Sequence, residues 1–260
     1  MTTVQDFWFV FIATLGALLG SFLNVVGYRL PRGESIVSPG SHCTHCGRSL
    51  RSHELIPMLS WLVLRGKCRS CGQSISVRYP LLEAATACLF AATFLAFPEW
   101  PVRVGWMVLW LVVMAAVSTD LYAMMVPNAL SLPGAVVMFV VSVCTGLQHW
   151  MGAVVGLAVC FTLLLAIHLL SGGNMGLGDA KLYLSIGAAL GAVQGIESLV
   201  FASFYGTVIG LVLRAVGWLE RRQYVPFVPF IAMGVVTAVF WGHALSGWYF
   251  HEVLRRTDVG

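Results

Sequence analysis

The stretch GAVVGLAVCFTLLLAIHLL, residues 152–170, contains no Asp, Glu, Lys or Arg. A helix needs roughly 20 consecutive apolar residues to cross the hydrocarbon layer of a bilayer, and this run supplies them. The rest of the chain has the same character. Of its 260 residues 58% are hydrophobic and 10% charged, against roughly 25% charged in soluble domains. That leaves too little polar surface to cover a soluble globule, so lipid is the solvent for most of the molecule. Further apolar runs at 7–28, 81–97, 102–121, 128–147, 180–193, 198–217 and 227–250 bring the expected number of spans to about eight. The expected fold is therefore an all-α polytopic membrane protein. The 180–193 run is short for a span and fits a helix that begins inside a protein-lined cavity.

Residues 29–80 differ in kind. They carry Arg29, Arg32, Arg48, Arg51, Arg65, Lys67, Arg69 and Arg78, opposed only by Glu34 and Glu54. The positive-inside rule places this segment in the cytosol and the N-terminus outside. With eight spans, Lys181, Arg214, Arg221 and Arg222 also fall inside, while Arg103, Arg255 and Arg256 fall outside. The tail pair Arg255–Arg256 fits that scheme least well. Residues 1–6 hold no Lys or Arg, so the first run lacks the basic start of a cleaved signal peptide. The net charge of +4 is thus a topology signal, and no nucleic-acid partner is expected. The organisation read from this is a first transmembrane helix (1–28), a cytosolic domain (29–80) and a transmembrane core (81–260).

Four of the seven cysteines lie in the cytosolic segment, as Cys43-Thr44-His45-Cys46-Gly47 and Cys68-Arg69-Ser70-Cys71-Gly72, with 21 residues between the pairs. Two Cys-x-x-Cys pairs at this spacing point to zinc, and four thiolates make a closed, tetrahedral structural site. A reducing cytosol argues against disulfides. His42 and His45 are alternative ligands, but four sulfurs suffice. The expected role of the metal is to fold a domain too small to hold itself together. Cys88, Cys144 and Cys160 sit in apolar runs and read as small buried hydrophobes.

Glu83, Asp120 and Asp179 fall inside or at the edge of expected spans. A charge at the bilayer centre costs roughly 3 kcal/mol or more, so such acids are functional candidates. Asp120 ends the third span and Asp179 begins the sixth; 59 residues apart in sequence, they reach the same depth on the cytosolic side. Two carboxylates sharing a site hold one proton between them. The ionised member can then activate water while the protonated one donates to a scissile carbonyl. The glycine-rich stretch 171–178 before Asp179 lets backbone approach a peptide closely. Read from the residues alone, the pair serves either peptide hydrolysis or a proton or ion pathway. Four Gly-x-x-x-Gly patterns, Gly16/Gly20, Gly152/Gly156, Gly187/Gly191 and Gly206/Gly210, read as close helix packing.

In this order the blocks resemble the bacterial type IV prepilin peptidases, the bifunctional leader peptidase/N-methyltransferases. The resemblance rests on Gly20-Ser21-Phe22-Leu23-Asn24, Arg29-Leu30-Pro31, both cysteine pairs, Arg65-Gly66-Lys67-Cys68 and Arg78-Tyr79-Pro80-Leu81-Leu82-Glu83. It continues through Asp120, Gly176-Leu177-Gly178-Asp179-Ala180-Lys181 and Val225-Pro226-Phe227. It implies an enzyme of the bacterial inner membrane that removes the short basic leader of prepilins or pseudopilins at the cytosolic face, with Asp120 and Asp179 catalytic. It also implies methylation of the new N-terminus from S-adenosylmethionine, associated with residues 29–80, with Gly66, Lys67 and Glu83 as candidate cofactor residues. No glycine-rich nucleotide fingerprint supports methylation independently. Many relatives carry Pro-Asp where this chain has Pro127-Asn128; Asn can still cap the helix that follows.

Overall fold

The computed structural model describes residues 3–173, 175–218 and 225–248; Arg221, Arg222, Arg255 and Arg256 lie outside the described residues. The described chain is all-helical. In order it forms α1 (Thr3–Arg29), a short α2 (Leu59–Val63), α3 (Arg78–Ala96), α4 (Trp100–Ala123), α5 (Asn128–Thr145), α6 (Trp150–Leu170), α7 (Leu177–Ala215) and α8 (Val228–Trp248), with 3-10 turns at Leu30–Arg32 and Ser52–Leu55. Six of these helices are long and apolar enough to cross a membrane, among the described residues. The chain is a multi-pass membrane protein. The expected count of eight spans is not reached by that measure. Residues 180–193 and most of 198–217 fall on α7, two helical stretches that meet at Gly191, and α8 holds a shorter apolar stretch, Val228–Gly242. A 39-residue helix would run about 58 Å if straight, nearly twice the hydrocarbon thickness of about 30 Å. It is broken at Gly191, where φ is 75° and ψ −176°, a conformation open essentially to glycine alone.

The chain divides into two compact units, 1–133 and 134–260. In the first, α1 packs on α3 and α4. The approach is close because glycines line it: a Cβ at Gly16 or Gly20 would crowd Thr86, Ala87 and Glu83 of α3, and one at Gly27 would overlap Ser118 of α4. Small residues at such contacts let helices gain packing energy that lipid cannot supply. Polar ties add direction. Asn24, 1% exposed, donates to the carbonyl oxygen of Tyr79 at 3.3 Å, and Trp110 of α4 donates to Thr93 of α3 at 2.8 Å.

In the second unit α7 packs on α6 and α8. Gly156 of α6 lies against Gly187 and Gly191 of α7, and Gly234 of α8 against Ser198 and Ala202. The close-packing expectation thus holds for Gly16/Gly20 and for Gly187/Gly191. It does not hold for Gly210, which faces open space. Cys160 is buried and lies where a side chain on Gly195 would go, but Cys88 and Cys144 are exposed. These two thiols therefore sit on outward helix faces and are not the core residues expected of them. In lipid an outward Cys leaves no polar group stranded in water-free packing, so apolar sequence context alone does not reveal which face it takes.

Candidate functional site

The cysteine module is built from two copies of one loop, 25 residues apart in sequence. In the first, Cys43 N–H donates to Arg48 at 2.9 Å, Gly47 N–H to Cys43 at 2.9 Å, and Leu50 N–H to Ser41 at 2.9 Å. In the second, Cys68 N–H donates to Gln73 at 2.8 Å, Gly72 N–H to Cys68 at 2.9 Å, and Ile75 N–H to Gly66 at 2.7 Å. The bridges His42–Ser49 and Lys67–Ser74 match in the same way. Gly47 and Gly72 both adopt φ of 69°, the left-handed conformation that glycine alone takes without cost. That turn closes each knuckle and turns both of its sulfurs to the same side.

All four sulfurs, of Cys43, Cys46, Cys68 and Cys71, lie within 4.8 Å of one another. Zn–S bonds of about 2.3 Å in a tetrahedron put neighbouring sulfurs about 3.8 Å apart; Cys43 and Cys71 Sγ are 3.9 Å apart. The donor set therefore fits a tetrahedral metal, and His42 and His45 are not part of it. His42 Nδ1 instead meets the carbonyl oxygen of Gly40 at 3.0 Å. The N–H groups of Cys71 and Ser70 lower the Cys68 thiol, which favours the thiolate form that a metal takes.

Arg48 ties the module to its surroundings. It bonds Glu54 at 2.7 Å. Glu54 accepts a second bond from the N–H of Arg51 at 2.8 Å. The Arg48 side chain, helped by the Arg51 N–H, holds the Glu54 carboxyl down to about 2. Arg29 at the end of α1 donates to the carbonyl oxygens of Ser35 and Gly40, at 3.0 and 3.1 Å, and so pins the start of the segment.

Beneath the knuckles, within the first unit, lies a cavity of about 370 Å³. Its aromatic lining is Tyr28, Trp61, Tyr79 and Tyr122, and its acidic lining is Glu54 and Glu83. Tyr122 stands edge-on to Tyr28 and Tyr79, with centroids 6.0 and 6.2 Å away. Glu83, 6% exposed, accepts the Met58 N–H at 2.7 Å. Of the three candidate cofactor residues, only Glu83 lines this space. Gly66 instead lies under the Trp61 ring with φ of 66°, and a Cβ there would be 2.9 Å from that ring. Lys67 is exposed and outside the lining. Sequence reasoning did not find Tyr28, Tyr79 or Tyr122. They come from three different helices, and no spacing along the chain links them. Glu54 carried the one available signal, as one of two acids set against eight basic residues.

Asp120 lies in the last turn of α4, 6% exposed, and its carbonyl oxygen accepts the Met124 N–H at 2.8 Å. Met124 itself takes the left-handed conformation, with φ of 51°, and ends the helix. Asp179 lies in the first turn of α7, half-buried, and its N–H donates to the carbonyl oxygen of Gly176 at 3.2 Å. A carboxylate there is favoured by the positive end of the helix dipole. Asp120 belongs to the first unit and Asp179 to the second.

The comparisons with known proteins agree with one another. A model of the bacterial peptidase A24 N-terminal domain matches residues 14–97, which contain all four module cysteines. A model of the type IV leader peptidase family matches residues 106–211, which contain both aspartates. A prepilin leader peptidase/N-methyltransferase of Bacillus subtilis is 36% identical over 92% of this chain and 96% of its own. One of Aeromonas hydrophila is 33% identical over 95% of each chain. No solved structure matches the chain. With relatives at this identity over nearly their whole length, and with both halves matched in order, the chain belongs to the type IV leader peptidase family.

Proposed function

We propose that this enzyme removes the short basic leader of type IV prepilins or pseudopilins and methylates the N-terminus that cleavage exposes. The observation that carries the proposal is full-length similarity to prepilin leader peptidase/N-methyltransferases, with both acids inside the matched peptidase segment. Asp120 and Asp179 are the catalytic pair. One carboxylate takes a proton from water as the water adds to the scissile carbonyl. The other, protonated, donates to the carbonyl oxygen. Collapse of the tetrahedral adduct breaks the C–N bond, and the departing amine takes up a proton. The basic segment 29–80 supports, through the positive-inside rule, the reading that this chemistry takes place at the cytosolic face of the inner membrane. There water reaches the acids and the leader's charges stay solvated. The working division is a first span (1–28), a cytosolic domain (29–80) and a peptidase core (81–260).

The metal of the four-cysteine module is zinc, held by Cys43, Cys46, Cys68 and Cys71 as a structural ion. The cavity beneath it, with Tyr28, Trp61, Tyr79, Tyr122 and Glu83 in its lining, would hold S-adenosylmethionine, which would supply an electrophilic methyl group on a sulfonium sulfur. The cavity falls in the size range of small-molecule sites, roughly 300–1,000 Å³. Its tyrosine and tryptophan faces suit a cation, and the Glu83 carboxylate supplies an opposite charge within a lining that also holds Arg29, Arg48 and Arg69. The free α-amine of the cleaved pilin would take the methyl group as the sulfonium S–C bond breaks and leaves a neutral thioether, and would then lose its extra proton to water. Gly66 acts on this site through Trp61, because any side chain there would displace the ring. Lys67, outside the lining, contributes from the cavity's surroundings.

The test is to incubate the purified protein with a prepilin and S-adenosylmethionine and weigh the products. Mature pilin carrying a methylated N-terminus is expected. Intact prepilin would refute the peptidase reading, and mature but unmethylated pilin would refute the methyltransferase reading alone.

A further inference from the structure

α2 and its flanks divide their side chains between two sides. Ser60, Trp61 and Leu64 face the cavity, and Trp61 is locked there by its Nε1–H bond to the carbonyl oxygen of Ile75 at 3.0 Å. On the other side Ile56, Leu59, Leu62 and Val63 are 46%, 60%, 62% and 80% exposed. A contiguous apolar patch on an extramembrane segment calls for a partner.

The depth of this patch identifies the partner. The Met58 N–H is bonded to Glu83 at 2.7 Å, and Glu83 lies five residues into the membrane helix α3, which starts at Arg78. Five residues of helix advance about 7.5 Å. Arg78 itself bonds the carbonyl oxygen of Leu121, near the end of α4, at 2.8 Å, so α3 and α4 reach the membrane edge together. The α2 segment is therefore held below that edge. Interfacial helices sit at about this depth, with their apolar faces roughly 5–10 Å into the headgroup and acyl boundary. Arg65 and Lys67, both exposed, follow directly as the chain turns back at Arg65 and Gly66.

We propose that residues 56–65 form a membrane-inserted wedge, with Ile56, Leu59, Leu62 and Val63 among acyl chains and Arg65 and Lys67 at anionic headgroups. The wedge is also one wall of the cavity, so the bilayer supports the placement of Trp61 and of the Met58–Glu83 bond. This inference rests on the membrane placement of α3 and α4 and does not depend on the peptidase reading.

The test uses full-length protein in nanodiscs of phosphatidylethanolamine and phosphatidylglycerol. p-Benzoylphenylalanine is placed singly at Leu62 and at Val63, with Leu95 on the outward face of α3 and Ser49 on the first knuckle as references. All four positions are exposed, so the probe fits without repacking. After irradiation, lipid adducts at positions 62 and 63 are expected to match those at 95 and to exceed those at 49 several-fold. Adduct yields no higher than at 49 would overturn the proposal. So would cross-links at 62 and 63 to a second copy of the chain, or to added prepilin, in place of lipid.

Discussion

At the residue scale the module's side chains separate into those that spacing reveals and those that only folding brings together. The four cysteines are legible in sequence because each knuckle is local, with ligands and turn glycine within five consecutive residues. Glu54 and Arg48 are nearly as local. The Glu54 carboxyl, held at about 2 against an ordinary 4.5, stabilises the fold fully above the ordinary value and loses that contribution as the pH falls through about 2. Glu54→Gln is therefore expected to lower the melting temperature at neutral pH. The gap from the unsubstituted protein should close between pH 4.5 and about 2. A gap constant across that range would show that Glu54 acts by shape and not by charge. Glu83 can be isolated in the same way, because Glu83→Gln keeps an acceptor for the Met58 N–H and removes only the charge. Methyl transfer to cleaved pilin is expected to fall about tenfold or more, the size of one charge-assisted interaction, with leader cleavage unchanged. Equal loss of both activities would mean that Glu83 holds the fold and not the cofactor. Gly66 shows how a resemblance can name a residue without naming its role. Its position under Trp61 depends on a ring five residues upstream, and no pattern in the sequence shows that contact.

At the element scale the apolar runs locate the helices well, since burial in lipid writes a continuous signal into the sequence. They do not say where one helix ends and the next begins. Runs 180–193 and 198–217 correspond to two helical stretches that meet at Gly191, whose φ of 75° and ψ of −176° break the helix without a connecting loop, so the second stretch begins several residues before 198. The glycine patterns were legible as packing in general, but only the fold tells which of them touch. A leucine at Gly156 would have to pass through the carbonyl oxygen of Gly187 and the backbone of Gly191. Gly156→Leu is expected to cost at least the roughly 1–3 kcal/mol typical of overpacking, read as a lower melting temperature in detergent. Gly210→Leu, facing open space, is expected to change little. Similar losses from the two would contradict the packing assigned here to α6 and α7.

At the scale of the whole molecule, a segment of about fifty residues that holds the four-cysteine cluster is attached to membrane helices that lipid stabilises. A domain of that size buries too little surface to hold itself together unaided. Cys46→Ser is expected to abolish retained zinc and to make residues 29–80 susceptible to protease, while the membrane helices stay protected. Unchanged zinc content in that variant would remove Cys46 from the ligand set. The proposed pairing belongs to this scale too, since Asp120 lies in one unit of the chain and Asp179 in the other. The most direct measurement is the cleavage rate of a prepilin by purified Asp120→Asn and Asp179→Asn variants that retain their zinc. Both rates are predicted to fall by about 100-fold or more, the loss expected when an acid–base group is removed. Cleavage by either variant at the unsubstituted rate would contradict the account.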